Sequence, residues 1–168
     1  MVTSPIVAAM AYAARGWKVF PLSPGSKKPM PGTNGFLDAT SDFSTLARVF
    51  PEHPTANLGL ATGEASGVWA LDVDPKHGGM DSLLSLVAQI HDESIIETYA
   101  HETVSGGLHL FYTWDYEGDP LPRKIDLFKR QGLPGLDLIG NDGYVVLPPS
   151  RVGDGVYTVQ LAEALIMS

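Results

Sequence analysis

The chain contains no cysteine. That excludes disulfides and any cysteine-built zinc site. No apolar run is long enough to cross a bilayer. No charged segment precedes the apolar stretch near the N-terminus, so no secretory signal is read there. Cytoplasmic localisation without membrane contact is the resulting expectation. Positive charge is scarce, with 11 Lys and Arg against 19 Asp and Glu, a net charge of −8. Such a surface repels polyanions in general and argues against a coat on long duplex DNA. A local basic groove, or a site whose cation recruits phosphates, stays open. What is present is 168 residues, 44% of them hydrophobic, enough for one domain with a core in two layers or two lobes.

The rest is organised around Val68-Trp69-Ala70-Leu71-Asp72-Val73-Asp74-Pro75. Alternation makes it a buried strand, with Val68, Ala70, Asp72 and Asp74 on one face and Trp69, Leu71 and Val73 on the other. Pro75 lacks an N–H and ends it. The two acids stand about 6.6 Å apart at Cα on an ideal strand. They repel each other unless a cation lies between them, and Mg²⁺ and Mn²⁺ take carboxylate oxygens.

Ahead of this strand, Ser4-Pro5 opens a helix with Ile6, Met10 and Ala13 on one face and Gly16 beyond its end. Residues 17–22 read as a strand and 23–35 as a loop carrying Lys27 and Lys28. Ser41 or Asp42 caps a short helix with Leu46, Val49 and Phe50 inward, and 57–62 is a strand. Behind it, Met80, Leu83, Leu84, Val87 and Ile90 repeat at helical spacing. Residues 97–103 and 108–113 read as two strands joined by Val104-Ser105-Gly106-Gly107. A loop with Arg123, Lys124, Lys129 and Arg130 follows. Residues 136–140 and 144–147 read as a hairpin across Asn141-Asp142-Gly143. A last strand is expected at 156–159 and the start of a helix at 161–167. That ending leads us to expect a fragment, residues 1–168, of a longer polypeptide.

Three pieces carry chemistry: Asp72-Val73-Asp74, Ser105-Gly106-Gly107-Leu108-His109, and Asp137 within Gly135-Leu136-Asp137. Three carboxylates from two strands can hold two metal ions about 3.5–4 Å apart, as in nucleotidyl transfer. A Gly-Gly turn lets N–H groups approach phosphate oxygens with no Cβ in the way. His109 can donate to a phosphate as well. Each piece has a plainer reading: a solvated turn, a satisfied core histidine, a capping acid. His77, His91 and His101 show no metal-ligand spacing. Lys27 and Lys28, and the basic set Arg123, Lys124, Lys129 and Arg130, are either solvated or follow phosphates.

With these residues in order, the chain resembles the primase–polymerase (prim-pol) domain of the archaeo-eukaryotic primase superfamily found in phage and plasmid replication proteins. Further anchors are Gly16-Trp17-Lys18-Val19-Phe20-Pro21-Leu22, Lys27-Lys28-Pro29, Asn57-Leu58-Gly59-Leu60 and 143–150. The resemblance implies a two-lobed α/β (α+β) core with a mixed or antiparallel sheet carrying the site. It implies that Asp72, Asp74 and Asp137 bind two Mg²⁺ or Mn²⁺ ions. Ser105, Gly106, Gly107 and His109 would hold the triphosphate of an NTP or dNTP, with Lys28 nearby. No zinc is expected without cysteine. Single-stranded DNA template, primer and a linked C-terminal accessory or helicase region are the implied partners. The expected activity is that of a DNA primase/polymerase. A metal-dependent nuclease and a non-catalytic single-strand-binding module are the alternatives.

Overall fold

The computed structural model describes residues 4–115, 117–118 and 121–161. Helix α1 (Pro5–Ala13) starts with Pro5 at its first position, where no N–H is needed, and Gly16 follows its end at φ 82°. Strand β1 (Val19–Leu22) is followed by α2 (Phe43–Val49). Asp42, not Ser41, caps α2 by accepting the Thr45 N–H at 2.7 Å. Strands β2 (Asn57–Ala61) and β3 (Val68–Val73) come next, then α3 (Gly79–Ile90). The second half is β4 (Ala100–Glu102), β5 (Leu108–Thr113), β6 (Leu136–Ile139), β7 (Tyr144–Leu147), β8 (Arg151–Val152), β9 (Gly155–Val156) and β10 (Thr158–Leu161). The fold is α+β.

Two antiparallel sheets organise it, one of three strands in the order β1-β2-β7 and one of five in the order β10-β4-β5-β3-β6. Strand β3 is paired on both sides. Its faces divide the core as alternation demands. Val68 and Ala70 pack with α1, α2, Trp17, Leu58, Leu60, Phe111 and Ile139 in the largest apolar cluster. Trp69, Leu71 and Val73 pack on the other side with Leu83 of α3, Leu110 and Leu136. Asp72 therefore continues the face that looks toward the three-stranded sheet.

Several elements differ from the sequence reading. Residues 136–140 and 144–147 are not a hairpin: β6 pairs with β3 and β7 with β2, so 140–143 is a crossing between sheets. Gly143 is pressed there against Ile139 and Thr62, where a Cβ would stand 2.8 and 3.2 Å from side-chain atoms. The strand expected over 97–103 is regular only from Ala100 to Glu102, with the Tyr99 carbonyl also accepting the Phe111 N–H at 3.0 Å. On α3 the inward side chains are Ser82 and Leu83, with Leu86 at the margin. Met80, Leu84 and Ile90 are exposed. The last strand begins at Thr158, and apart from Leu161, which ends β10, the expected helix at 161–167 lies outside the described residues.

Candidate active site

Strand register assembles the site. Asp72 lies opposite Asp137 on β6 and opposite His109 on β5, and His109 lies opposite His101 on β4. Directly opposed residues share a face, so Asp137, Asp72, His109 and His101 form one row across four strands. The row begins where the apolar face of β3 ends. Sequence reading named three of its four members and set His101 aside. His101 is fully buried, its ring 4.7 Å from that of Phe111 and 4.9 Å from that of Tyr99. Both its ring nitrogens lack a partner among the described residues. Burial holds its pKa well below that of a free histidine, so the ring is neutral at pH 7.

Asp72 sits in a costly place. Burial raises its pKa to about 6, the neighbouring Asp137 and Asp74 add to the rise, and Lys27 and Arg123 oppose it. His109 faces Asp72 with Nε2 3.6 Å from Oδ1, too long for a hydrogen bond. Burial, followed by the nearby Lys27, lowers its pKa to about 4. The Val146 backbone favours a protonated ring, but no well-formed hydrogen bond closes on the buried Nδ1. His109 is thus a neutral imidazole with Nε2 turned to the carboxylate.

The other two acids are already engaged. Asp74 lies one residue beyond β3 and caps the next turn, accepting the Lys76 N–H at 2.9 Å and pairing with His77 Nδ1 at 2.6 Å. The His77 contact is the main cause of its lowered pKa. Asp137 accepts the Asp126 N–H at 2.8 Å and stands 3.5 Å from Arg123.

The Ser-Gly-Gly turn is wound round Thr103. Gly106 N–H donates to the Thr103 carbonyl at 2.9 Å, Gly107 N–H to Thr103 Oγ1 at 3.1 Å, and Ser105 Oγ lies 3.0 Å from that hydroxyl. Both glycine amides expected to face phosphate are thus used inside the turn. Glycine serves two other needs here. Gly106 has φ +78°, and a Cβ on Gly107 would stand 2.2 Å from the Val73 carbonyl oxygen and 2.8 Å from Pro75 Cδ. This lets the turn lie against the end of β3, beside Asp74.

A cleft opens over Asp72 and His109 in two lobes. One, of about 320 Å³, is mostly polar and brings together Asp72, Asp74, Lys76, Ser105, His109, Lys27 and Tyr157. The other, of about 340 Å³, is walled by Phe36, Ile139, Tyr144, Val145 and Val146, with Arg123 and Asp142 at its rim. Asp72, His109, Lys27 and Tyr157 line both lobes. Tyr157 was not singled out in the sequence; of Lys27 and Lys28, both weighed there for phosphate contact with Lys28 preferred, it is Lys27 that lines the cleft. Its loop is fixed from afar, since Asn57 Nδ2 donates to Ser26 O at 2.9 Å and Tyr144 OH to Lys27 O at 3.0 Å. Tyr157 is buried beside the His109 ring, 6.0 Å between centroids.

The basic set Arg123, Lys124, Lys129 and Arg130 is exposed. Lys129 pairs with Asp126 at 2.9 Å and Arg123 with Asp137, so part of this charge is spent within the fold. Phe111 is in the core, and Tyr112 stacks on Trp69 at 4.5 Å on the opposite face. Neither ring is displayed for base stacking.

Asp72 and Asp137, directly opposed on β3 and β6, offer carboxylate oxygens of the kind a hard divalent cation takes, although Arg123 already stands 3.5 Å from Asp137. Among the described residues no three such side chains already converge as a cage, because Asp74 and Asp137 turn to their own partners. Among the described residues no helix is long and apolar enough to cross a membrane.

No curated protein matches this chain closely enough to count as a relative. A family profile, bifunctional DNA primase/polymerase, N-terminal, matches residues 9–165 and so takes in every residue of the row and the cleft. The chain belongs to this Prim-Pol family of DNA primase/polymerase domains.

Proposed function

We propose that the domain performs template-directed nucleotidyl transfer at Asp72, as a DNA primase/polymerase with two divalent ions, in phage or plasmid replication. The observation that carries this is that Asp72 and His109, in register with Asp137 across the sheet, open on a cleft with one polar and one apolar lobe. Asp72 and Asp137 would hold Mg²⁺ or Mn²⁺, joined by Asp74 once its carboxylate leaves His77. When bound, the ions supply a lowered pKa for the primer 3′-hydroxyl and neutralise charge on the leaving pyrophosphate.

The chain's own residues do the positioning. His109 is neutral at pH 7 and offers Nε2–H to a phosphate oxygen as a donor that needs no counter-charge. Lys27, placed beside Asp72, His109 and Tyr157, supplies positive charge to the same phosphates. Ser105 borders the polar lobe and can give its hydroxyl once it turns from Thr103. The apolar lobe, walled by Tyr144 and Phe36, excludes water from the nucleoside side. Tyr144 is braced for this by Phe20 edge-on at 5.4 Å and by its hydroxyl on the Lys27 carbonyl. The few exposed cations Arg123, Lys124, Lys129 and Arg130 would follow template phosphates, so grip on single strands is weak and its salt slope shallow, about −0.7 per contact. A linked accessory or helicase region would supply the rest.

The deciding experiment incubates the protein with single-stranded template, Mg²⁺ or Mn²⁺ and labelled NTPs or dNTPs, with and without primer, and sizes the products. Template- and metal-dependent products are expected. Cleavage of the DNA without nucleotide would make it a nuclease. Binding without incorporation would make it a single-strand-binding module.

A further inference from the structure

Asp137 is held by one surface segment. Residues 124–127 run antiparallel beside β6, with Lys124 and Leu138 exchanging backbone hydrogen bonds at 2.8 and 2.9 Å and Leu127 N–H donating to the Leu136 carbonyl at 2.8 Å. Lys124 opposite Leu138 turns Arg123 to the other face, the side of Asp137. Asp126 pins the segment's turn in a left-handed conformation, φ 51°, which most L-residues avoid. Its carboxylate accepts the Gly135 N–H at 2.8 Å and Lys129 Nζ at 2.9 Å, and its own N–H goes to Asp137 at 2.8 Å. Arg123 completes the hold on Asp137 at 3.5 Å.

The two residues of that ion pair are unequal in access. The Arg123 side chain is 54% exposed and that of Asp137 18%. A polyanion arriving from solvent therefore meets the guanidinium first, and a planar guanidinium binds phosphate at least as well as carboxylate. Until then the guanidinium occupies one Asp137 oxygen and repels any cation approaching Asp72, whose field it already reaches.

We propose that Arg123 is a positioning residue that withholds Asp137 from metal until single-stranded template takes its guanidinium. Template binding and cation binding are then coupled through one side chain. This rests on the metal reading proposed above. Coupling is reciprocal: if template tightens metal binding, metal tightens template binding by the same factor. The Arg123–Asp137 pair is solvent-accessible, so that factor is modest, about two- to fivefold.

Free Mn²⁺ is followed by electron paramagnetic resonance as the full chain is titrated, with and without a short single-stranded DNA. The double variant D72A/D137A serves as the blank for metal held by the DNA itself. In the wild type, DNA is expected to tighten Mn²⁺ binding about two- to fivefold. Arg123→Met should bind Mn²⁺ tighter by that factor without DNA and gain nothing from it. The reciprocal titration of DNA into wild type, with and without Mn²⁺, should return the same factor and needs no variant. Arg123→Met binding Mn²⁺ no better than wild type, or gaining as much from DNA, overturns the inference and leaves the metal site standing. So does a reciprocal titration without a metal effect. Mn²⁺ binding at the level of the blank in every case removes the metal site, and the inference falls with it.

Discussion

Asp72 and Asp137 lie directly opposite each other on β3 and β6, two carboxylates at a position where like charges destabilise a sheet. The sheet tolerates them by keeping Asp137 on Arg123 and the Asp126 N–H and by keeping Asp72 hard to ionise.

The first prediction concerns pH. Asp72 has its pKa raised from 3.8 to about 6, so the folded state binds its proton more tightly than the unfolded chain. Its contribution therefore falls as pH rises from about 4 to about 6 and is flat above. Without metal, Asp72→Asn should match wild type near pH 4 and exceed it at pH 7, by at most about 3 kcal/mol. Urea unfolding of both proteins at the two pH values checks this. A constant difference would show that Asp72 is not strained by its surroundings. Synthesis by Asp72→Asn should nearly vanish.

His109→Ala should weaken nucleotide binding about ten- to a hundredfold, the worth of a hydrogen bond to a charged group, with little change for template. Because His109 is neutral well below pH 7, the nucleotide affinity it confers should be level between pH 6 and 8. Fluorescence titrations with labelled nucleotide and labelled template check both. Equal losses for the two ligands would move His109 out of the phosphate site.

Lys27→Ala should raise the nucleotide dissociation constant about tenfold, and Lys28→Ala should change it less than about twofold. The contrast follows from Lys27 alone of the two lining the cleft lobes described here. The same titration decides it, and a larger effect at Lys28 would restore the sequence-based choice.

The adjacent glycines should separate in stability. Gly107→Ala forces a Cβ into the Val73 carbonyl and should cost at least about 1–3 kcal/mol by denaturant midpoint. Gly106→Ala meets no atom within 4 Å and should cost only its left-handed backbone, about 1–2 kcal/mol. The larger loss at Gly106 would mean the turn does not pack on β3 as described.

The parts of the fold legible in the sequence were those set by a short local pattern. Alternation through 68–73 gave both faces of β3, and the apolar clusters keep that division. Asp72, Asp137 and His109 could be grouped as one constellation in the sequence, but their direct pairing could not, since strand register is written in no single segment. The turn-prone 141–143 pointed to a hairpin. Local chemistry there is the same whether the next strand folds back or crosses to another sheet, and only the β2–β7 pairing decides. The choice between Lys27 and Lys28 was hidden for a similar reason: their loop is held by Asn57 and Tyr144, far along the chain. On α3, helical spacing was correct, but β3 and β6 cover only part of the apolar stripe, leaving Met80 and Leu84 outside.

The crossing at 140–143 bears on how the protein is made. On the ribosome the chain emerges from its N-terminus, and segments pair only after both partners are out. A nascent chain ending near residue 140 already carries Asp72, His109 and Asp137 and can close β3 with β5 and β6. It lacks β7 to complete the smaller sheet, Tyr144 to tether the Lys27 loop, and Tyr157 to seal the floor beside His109. The acids are therefore in place before the cleft around them is complete. Pairing of β7 with β2 is thus the step that completes the cleft around acids already held in register.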